Sequence, residues 1–277
     1  MNRREQLQST LEQNLAVIEA FEGQVELCLV NFIKDEEGEN IHRWINSLGE
    51  RSFFNYRTSR SLKHWHAPTA KNAAHSLAQG ELVINLDGDN FISKEVLSQL
   101  IDIVDNQSTP LLFSGFTGGL NIEQLLIKKL KTKIRGIANG FKNRNLPTKK
   151  DPWILRSVRQ QPDIDRNGTY GHIGMSKSLF QMIGGYDQSF PSMAAHDKDL
   201  LWRAYNIKDV TFIHIPQPRD LLPIENDKVD SLANTKEKDQ QWSMMARRGN
   251  KQAIKSILER SIVANGKKPI GIDLETN

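Results

Sequence analysis

Between His64 and Phe91 the chain reads H-W-H-A-P-T-A-K-N-A-A-H-S-L-A-Q-G-E-L-V-I-N-L-D-G-D-N-F, and this order of patterns constrains the fold more than any other stretch. Ala70, Ala73, Ala74, Leu77 and Ala78 recur at three- and four-residue spacing, the period of one helical face. Gly80 supplies a stop signal at the helix end. Glu81 to Leu86 is a short, nearly continuous apolar run, as in a strand covered on both faces. Asp87-Gly88-Asp89-Asn90 then ends the strand. A helix leading into a buried strand that stops at carboxylates predicts an α/β fold. In such open sheets ligands bind outside the carboxyl ends of the strands.

Two carboxylates flanking one glycine cannot both enter a core, because an unpaired buried charge is too costly. They face water, a partner or a metal. Mg²⁺ and Mn²⁺ take oxygen ligands, commonly one or two carboxylates together with substrate phosphates. An ordinary strand-end turn uses the same residue types, so D-x-D alone leaves both readings open. A calcium-binding EF-hand loop is excluded, because Ser98 stands where the closing Glu is required.

A chain of 277 residues, 38% hydrophobic and 25% charged, suits a globular protein with one large domain, or a domain with an appendage. No run approaches the length of a membrane span, and the opening M-N-R-R-E-Q-L-Q-S-T-L lacks the apolar core of a signal peptide. The single cysteine, Cys28, cannot form an internal disulfide and suits a cytoplasmic setting. Within V-E-L-C-L-V it reads as a packed strand residue.

The net charge of +4 is unevenly spread. From Lys128 to Arg159 the chain carries eleven Lys or Arg against one acid, Asp151, inside a compositional insertion at about 121–160. Such density marks a solvated insertion or an acceptor loop. It also allows peripheral contact with an anionic membrane face. Nucleic acid is not indicated, since no aromatic platform is interleaved with the charge.

Elsewhere the patterns alternate. Leu7, Leu11, Leu15 and Ile18 predict an amphipathic helix over about 2–20, followed by a strand over 25–32. Asn31 to Asn40 reads as a polar, acidic loop, with a short helix over 41–48 and a strand over 52–58. Ser93 is the expected N-cap of a helix to Val104, and Leu111 to Phe116 is a strand. A short helix from about Lys177 leads to Gly184-Gly185, whose backbone freedom allows a sharp turn. Val210 to Ile215 is a strand, and Trp242 to Ile262 is a helix. Residues 1–218 are expected to form the main domain and 219–277 a helical appendage, with the last dozen residues loose. His64, His66 and His75 do not make a metal set, and His66 is placed at the loop–helix junction.

The segment A-K-N-A-A-H-S-L-A-Q-G-E-L-V-I-N-L-D-G-D-N resembles the donor-site segment of family-2 glycosyltransferases of the GT-A fold. The later I-G-G-Y-D-Q-S-F and H-D-K-D-L-L-W-R resemble the family's galactosyltransferase-type acceptor and catalytic segment, usually G-G-Y-D-x-x-F followed by E-D-x-D-L-x-x-R. The likeness spans about Met1 to His214. It implies a single mixed sheet flanked by helices, without the strand that in the family precedes the first helix. That absence would leave a hole near the sheet's centre.

By the same resemblance, a nucleotide-sugar, here a UDP-sugar, binds through Lys71, Asn72, Asp87 and Asp89, with Asp35 as a further nucleoside contact. A divalent metal, Mn²⁺ or Mg²⁺, is held by Asp87, Asp89 and, as in some relatives, His214. Asp197 is the general base that deprotonates an acceptor hydroxyl in an inverting displacement. Tyr186, His196 and Asp199 line the side of the glycan or other hydroxyl acceptor, His196 standing where the family has Glu. Two other readings stay open: a non-catalytic binding protein on the same fold, and a sugar-nucleotide pyrophosphorylase. The latter would carry an early Gly-rich phosphate loop, which this sequence lacks.

Overall fold

The first helix, α1 (Arg4–Glu19), buries Leu11, Leu15 and Ile18 on one stripe, together with two polar residues, Thr10 and Asn14. The computed structural model describes residues 4–106, 109–116, 173–216, 224, 232–267 and 273–275. After α1 come β1 (Leu27–Phe32), α2 (Glu36–Ser47), β2 (Phe54–Ser59), α3 (Ala67–Leu77), β3 (Leu82–Asn85) and α4 (Lys94–Asn106). Then follow β4 (Leu111–Phe116), β5 (Ile173–Ser176), α5 (Lys177–Met182), α6 (His196–Tyr205), β6 (Thr211–Pro216) and α7 (Trp242–Leu258). The basic insertion expected at 121–160, with its 128–159 charge cluster, lies outside the described residues. Among the described residues no helix is long and apolar enough to cross a membrane.

The α/β architecture expected from the His64–Phe91 pattern is present: mixed parallel and antiparallel strands covered by helices. The described strands form two sheets rather than one. β1 and β2 pair in parallel, with Leu27 opposite Phe54 and Phe32 opposite Ser59. The other four run in the order β3-β5-β4-β6, antiparallel except for β4 and β6. The division falls between β1 and β3, which share no strand neighbour among the described residues.

Two apolar clusters hold these layers. Leu11, Leu15 and Ile18 of α1 meet Ile41 and Ile45 of α2, Val96, Leu97 and Leu100 of α4, and Phe53 and Tyr56 beside β1. On the far side Val83, Leu112, Ile173 and Met175 pack on Leu179, Ile183, Leu200 and Leu201. Burial at ~25 cal/mol per Å² makes these clusters the main favourable term in the fold.

Three expectations change. The stretch Glu36 to Asn40 is the first part of α2 rather than loop, because Asp35 caps it: its carboxylate accepts from Gly38 N at 3.1 Å. Helix α3 ends at Leu77, before Gly80, since Ala78 is already extended. The chain end is not loose at 273–275, where Glu275 N donates to Thr58 O at 2.8 Å and Ser59 Oγ donates to Asp273 O at 2.7 Å.

Candidate functional site

The D-G-D-N turn is held from α1. Thr10 Oγ1 donates to Gly88 O at 2.8 Å. Asn14 spans the turn, with Nδ2 donating to Asn90 O at 3.0 Å and Oδ1 accepting from Ile92 N at 3.0 Å. Asn90 N also donates back to Asp87 O at 2.9 Å, closing the turn. Sequence reading missed Thr10 and Asn14. Their signal was two polar residues in phase with the apolar stripe of α1, where a buried polar group must have a partner.

Lys71 is the hub of the site. It sits in the first half of α3, its side chain only 11% exposed, and its Nζ donates to Asp197 Oδ1 at 2.9 Å and lies 3.2 Å from Asp87 Oδ1. The D-G-D end of β3 and the H-D-K-D start of α6 therefore converge on one ammonium. Burial alone would lower the Lys71 pKa, but the Asp197 and Asp87 charges override it and hold the group well above its ordinary value. Burial would raise Asp87, yet Lys71 and the 3.0 Å hydrogen bond from Asn85 Nδ2 hold its carboxyl well below the usual range. Both carboxylates keep solvent access, Asp87 at 36% and Asp197 at 26% of the side chain.

Around this hub the aromatic residues form a floor. Lys71 Nζ lies 5.2 Å from the centroid of the Tyr186 ring, a cation–π placement. Tyr186 is fully buried and meets His196 edge-on, with ring centroids 5.8 Å apart. His196 Nε2 is 3.5 Å from Asp197 Oδ1, within electrostatic reach. Burial lowers the His196 pKa, so its imidazole is held toward the neutral form. Tyr186 Oη and both ring nitrogens of His196 are buried without a hydrogen-bond partner among the described residues. Buried polar atoms of that kind mark a place that a ligand group or water completes.

Other residues singled out from sequence have different surroundings. Asn72 is buried and spends its amide on Tyr186, donating to Tyr186 O and accepting from Tyr186 N, both at 2.8 Å. Asp199 is buried and ion-paired to Arg203 at 2.8 Å, and Arg203 donates to Ile183 O and Gly185 O at 2.7 Å each. Asp199 thus reaches the Gly184-Gly185 turn through Arg203 rather than meeting the Lys71 hub. Asp35 is an exposed helix cap, apart from the hub. His214 belongs to β6, and its side chain lies outside the described residues. Asp89 is buried beside Asn90, whose Nδ2 is 3.4 Å from Asp89 Oδ1.

His66 and His75 take structural places. His66 caps α3, and Thr69 N donates to its Nδ1 at 3.4 Å, leaving Nε2–H to donate to Phe190 O at 3.0 Å. His75 stacks on Phe180 with ring centroids 4.7 Å apart, and burial pushes its pKa down to about 4.

The segment entering α6 is strained. Ala194 and Ala195, just before His196 and Asp197, have φ of 81° and 62°, in the left-handed region that residues with a Cβ rarely adopt. Helix α7 braces them, since Gly249 packs so tightly that a Cβ there would lie 2.6 Å from Ala194 O. Past α7, Asn265 Nδ2 donates to Gly184 O at 2.8 Å and to Tyr186 O at 2.7 Å. The carboxyl-terminal segment therefore helps frame the Gly184–Tyr186 turn.

Among the described residues no three His, Cys, Asp or Glu side chains come together as a closed metal site. Asp87 and Asp89 at the end of β3 are oxygen donors of the type a hard divalent ion takes.

Comparison with family models gives no match, and neither does comparison with curated proteins. Among solved structures the chain is similar to residues 1–349 of S. aureus TarS, at 16% identity and a TM-score of 0.48, covering 94% of this chain and 68% of that one. It is also similar to M. tuberculosis glucosyl-3-phosphoglycerate synthase, at 9% identity and a TM-score of 0.43, covering 85% of this chain and 69% of that one. The complex of that synthase with UDP aligns at 13% identity and a TM-score of 0.41, over 91% of this chain and 78% of that one.

Proposed function

We propose that this protein is a glycosyltransferase that moves a sugar from a nucleotide-sugar donor, a UDP-sugar, to an acceptor hydroxyl with inversion. The observation that carries the reading is Lys71, which joins Asp87 of the donor-like motif to Asp197 of the acceptor-like motif. A structural ion pair needs one carboxylate. Two carboxylates from separate motifs, both solvent-accessible around one ammonium, suit a site in which an anionic substrate exchanges for one of them.

In this reading the donor diphosphate takes the Lys71 ammonium, which releases Asp197. The Asp197 carboxylate then accepts the proton of the acceptor hydroxyl as its oxygen attacks the anomeric carbon. The new carbon–oxygen bond forms while the bond from that carbon to the diphosphate oxygen breaks, and the nucleoside diphosphate leaves with the electron pair. Tyr186 supports Lys71 from below, and the unpartnered ring nitrogens of His196 meet an acceptor hydroxyl. Asp87 and Asp89 would hold a divalent ion, Mn²⁺ or Mg²⁺, which when bound neutralises charge on the departing diphosphate. Asn72, Asp199 and Asp35 act here by holding backbone rather than substrate. The basic 128–159 segment remains a proposed contact for an anionic acceptor or membrane face.

The test is UDP release from a panel of UDP-sugars, with and without candidate acceptors. An Asp197→Asn variant should lose about 10²–10⁴-fold in kcat, the range for a general base, while binding UDP at least as tightly as wild type, since the diphosphate no longer competes with Asp197 for Lys71. Equal turnover by wild type and variant would remove Asp197 from the reaction.

A further inference from the structure

Helix α7 has two unlike faces. Turned at about 100° per residue, Met245, Gly249 and Ala253 fall on one side and are buried, Gly249 against Ala194 and Ala195. On the opposite side Met244, Ile254 and Leu258 lie within an arc of about 120° and are exposed. Arg247, Arg248, Lys251 and Lys255 occupy the same arc, all of them exposed. No Asp or Glu lies within the helix, and the first acid after it, Glu259, sits 3.7 Å from Lys255 at the surface. Four cations therefore face at most one acid.

Apolar side chains this open are gathered in one region. Among the described residues five large ones are exposed, at 36% to 51%: the three on α7, Val263 just after it, and Met182 at the end of α5. Ala264 N donates to Ile183 O at 2.9 Å, which sets the Val263 and Met182 segments side by side. Gathered rather than scattered apolar exposure is the mark of an interaction surface.

The spacing selects the partner. A groove on another protein reads anchors at i, i+3 or i+4 and i+7. Here ten residues separate Met244 from Ile254, with Arg247, Arg248 and Lys251 between them, so the arc has no continuous apolar seam. Single-stranded nucleic acid takes an aromatic platform beside the cations, and the exposed arc holds no aromatic residue. A lipid surface accepts the mixture. Apolar side chains sink to the acyl boundary, while Lys and Arg stems lie along them and carry their charge to headgroup phosphates. The helix, 17 residues and about 25 Å long, can lie flat on such a surface. The basic 128–159 stretch of the chain has the same sign of charge, so it is repelled by this face rather than drawn to cover it.

We propose that the outer face of α7 docks on an anionic lipid bilayer, with Met244, Ile254 and Leu258 inserted and the four cations at the headgroups. Because Gly249 on the inner face packs against the segment that enters α6, docking holds that segment about 10 Å, one helix diameter, from the lipid.

The experiment is co-sedimentation of the full chain with vesicles of phosphatidylcholine alone, or with about 30% phosphatidylglycerol added. Binding should be at least tenfold tighter to the acidic vesicles and should weaken as salt is raised. Arg247→Glu with Lys251→Glu should weaken it at least tenfold. Ile254→Ser with Leu258→Ser should weaken it at least fivefold, and since all four side chains are exposed both variants should keep the native circular dichroism. No binding by the wild-type chain overturns the proposal. So does binding indifferent to both variants, which would move the contact to another basic part of the chain. Binding lost with the charges but untouched by the serine pair, or tighter binding to a short single-stranded RNA than to the acidic vesicles, also overturns it and makes a polyanion the partner. A dimer abolished by the serine pair would assign the face to a second copy of this chain instead. The readout is lipid binding without sugar transfer, so it stands or falls separately from the proposed activity.

Discussion

The energetics of the site at the residue scale are those of three charges sharing one small space. Asp87 and Asp197 would repel each other without Lys71, and Lys71 would be a partly buried, unpaired ammonium without them. Lys71→Met should therefore raise the Asp87 pKa toward the ordinary carboxylate range, measured by NMR titration of the carboxyl carbon. An unchanged Asp87 titration would mean that Asn85, rather than Lys71, holds it down. A second ion pair is of a different kind. Asp199 and Arg203 are almost fully buried, and the guanidinium ties α6 to the Ile183–Gly185 turn. Asp199→Ala should cost about 3–5 kcal/mol in chemical denaturation, because it leaves a buried charge unpaired. The double replacement Asp199→Leu with Arg203→Met should cost less than that single change.

At the level of elements, the turn between α5 and α6 is the part that positions Tyr186 against Asn72 and Lys71. Gly184 and Gly185 have φ of 75° and 65°. A Cβ on Gly185 would lie 2.6 Å from Asn72 Oδ1, the atom that accepts from Tyr186 N. Gly185→Ala should thus disturb α3 and the Tyr186 floor together, lowering stability by about 1–3 kcal/mol and UDP affinity with it. Asp35→Ala, by contrast, removes only the cap of α2 and should cost about 1 kcal/mol with UDP affinity unchanged, read by calorimetry.

Much of this was legible in the sequence. The α3–β3–D-G-D order and the Gly-Gly turn stand in the structure. Period and turn chemistry are local signals, so a single pass along the chain reads them. What the sequence did not disclose was partnership across the fold: Lys71 reaching to Asp197 and Asn72 spent on Tyr186. Those pairings are made by folding, and no spacing rule links Lys71 to a residue in α6. The Asp199–Arg203 pair, by contrast, follows from i,i+4 spacing and differs only in being buried rather than on the helix surface. The first turn of α2 was hidden for a local reason, since E-E-G-E-N is polar on every side and only its Asp35 cap marks it as helix.

Over the whole molecule, pH should act through buried histidines. His75 has its folded pKa pushed down to about 4, and His196 is also lowered. The unfolded chain, with His near 6.5, therefore binds more protons than the folded one between about pH 6.5 and 4. Stability is full above that window and is lost as pH falls through it, on the order of 2–3 kcal/mol for His75. His75→Phe, which keeps a ring on Phe180, should flatten the fall in denaturant midpoint over this range. A wild-type midpoint that stays constant from pH 7 to 4 would contradict the burial of both rings.

The central claim is that Asp87 and Lys71 form a donor site beside Asp197, and calorimetric titration of UDP into the full chain tests it most directly. With Mn²⁺ present the account predicts binding that weakens at least tenfold on removing the metal, on Asp87→Asn or on Lys71→Met. It predicts that Asp197→Asn binds UDP at least as tightly as wild type, because the diphosphate no longer has to displace Asp197 from Lys71. Absence of UDP binding by the wild-type chain in Mn²⁺, or binding indifferent to Asp87 and Lys71, would contradict it.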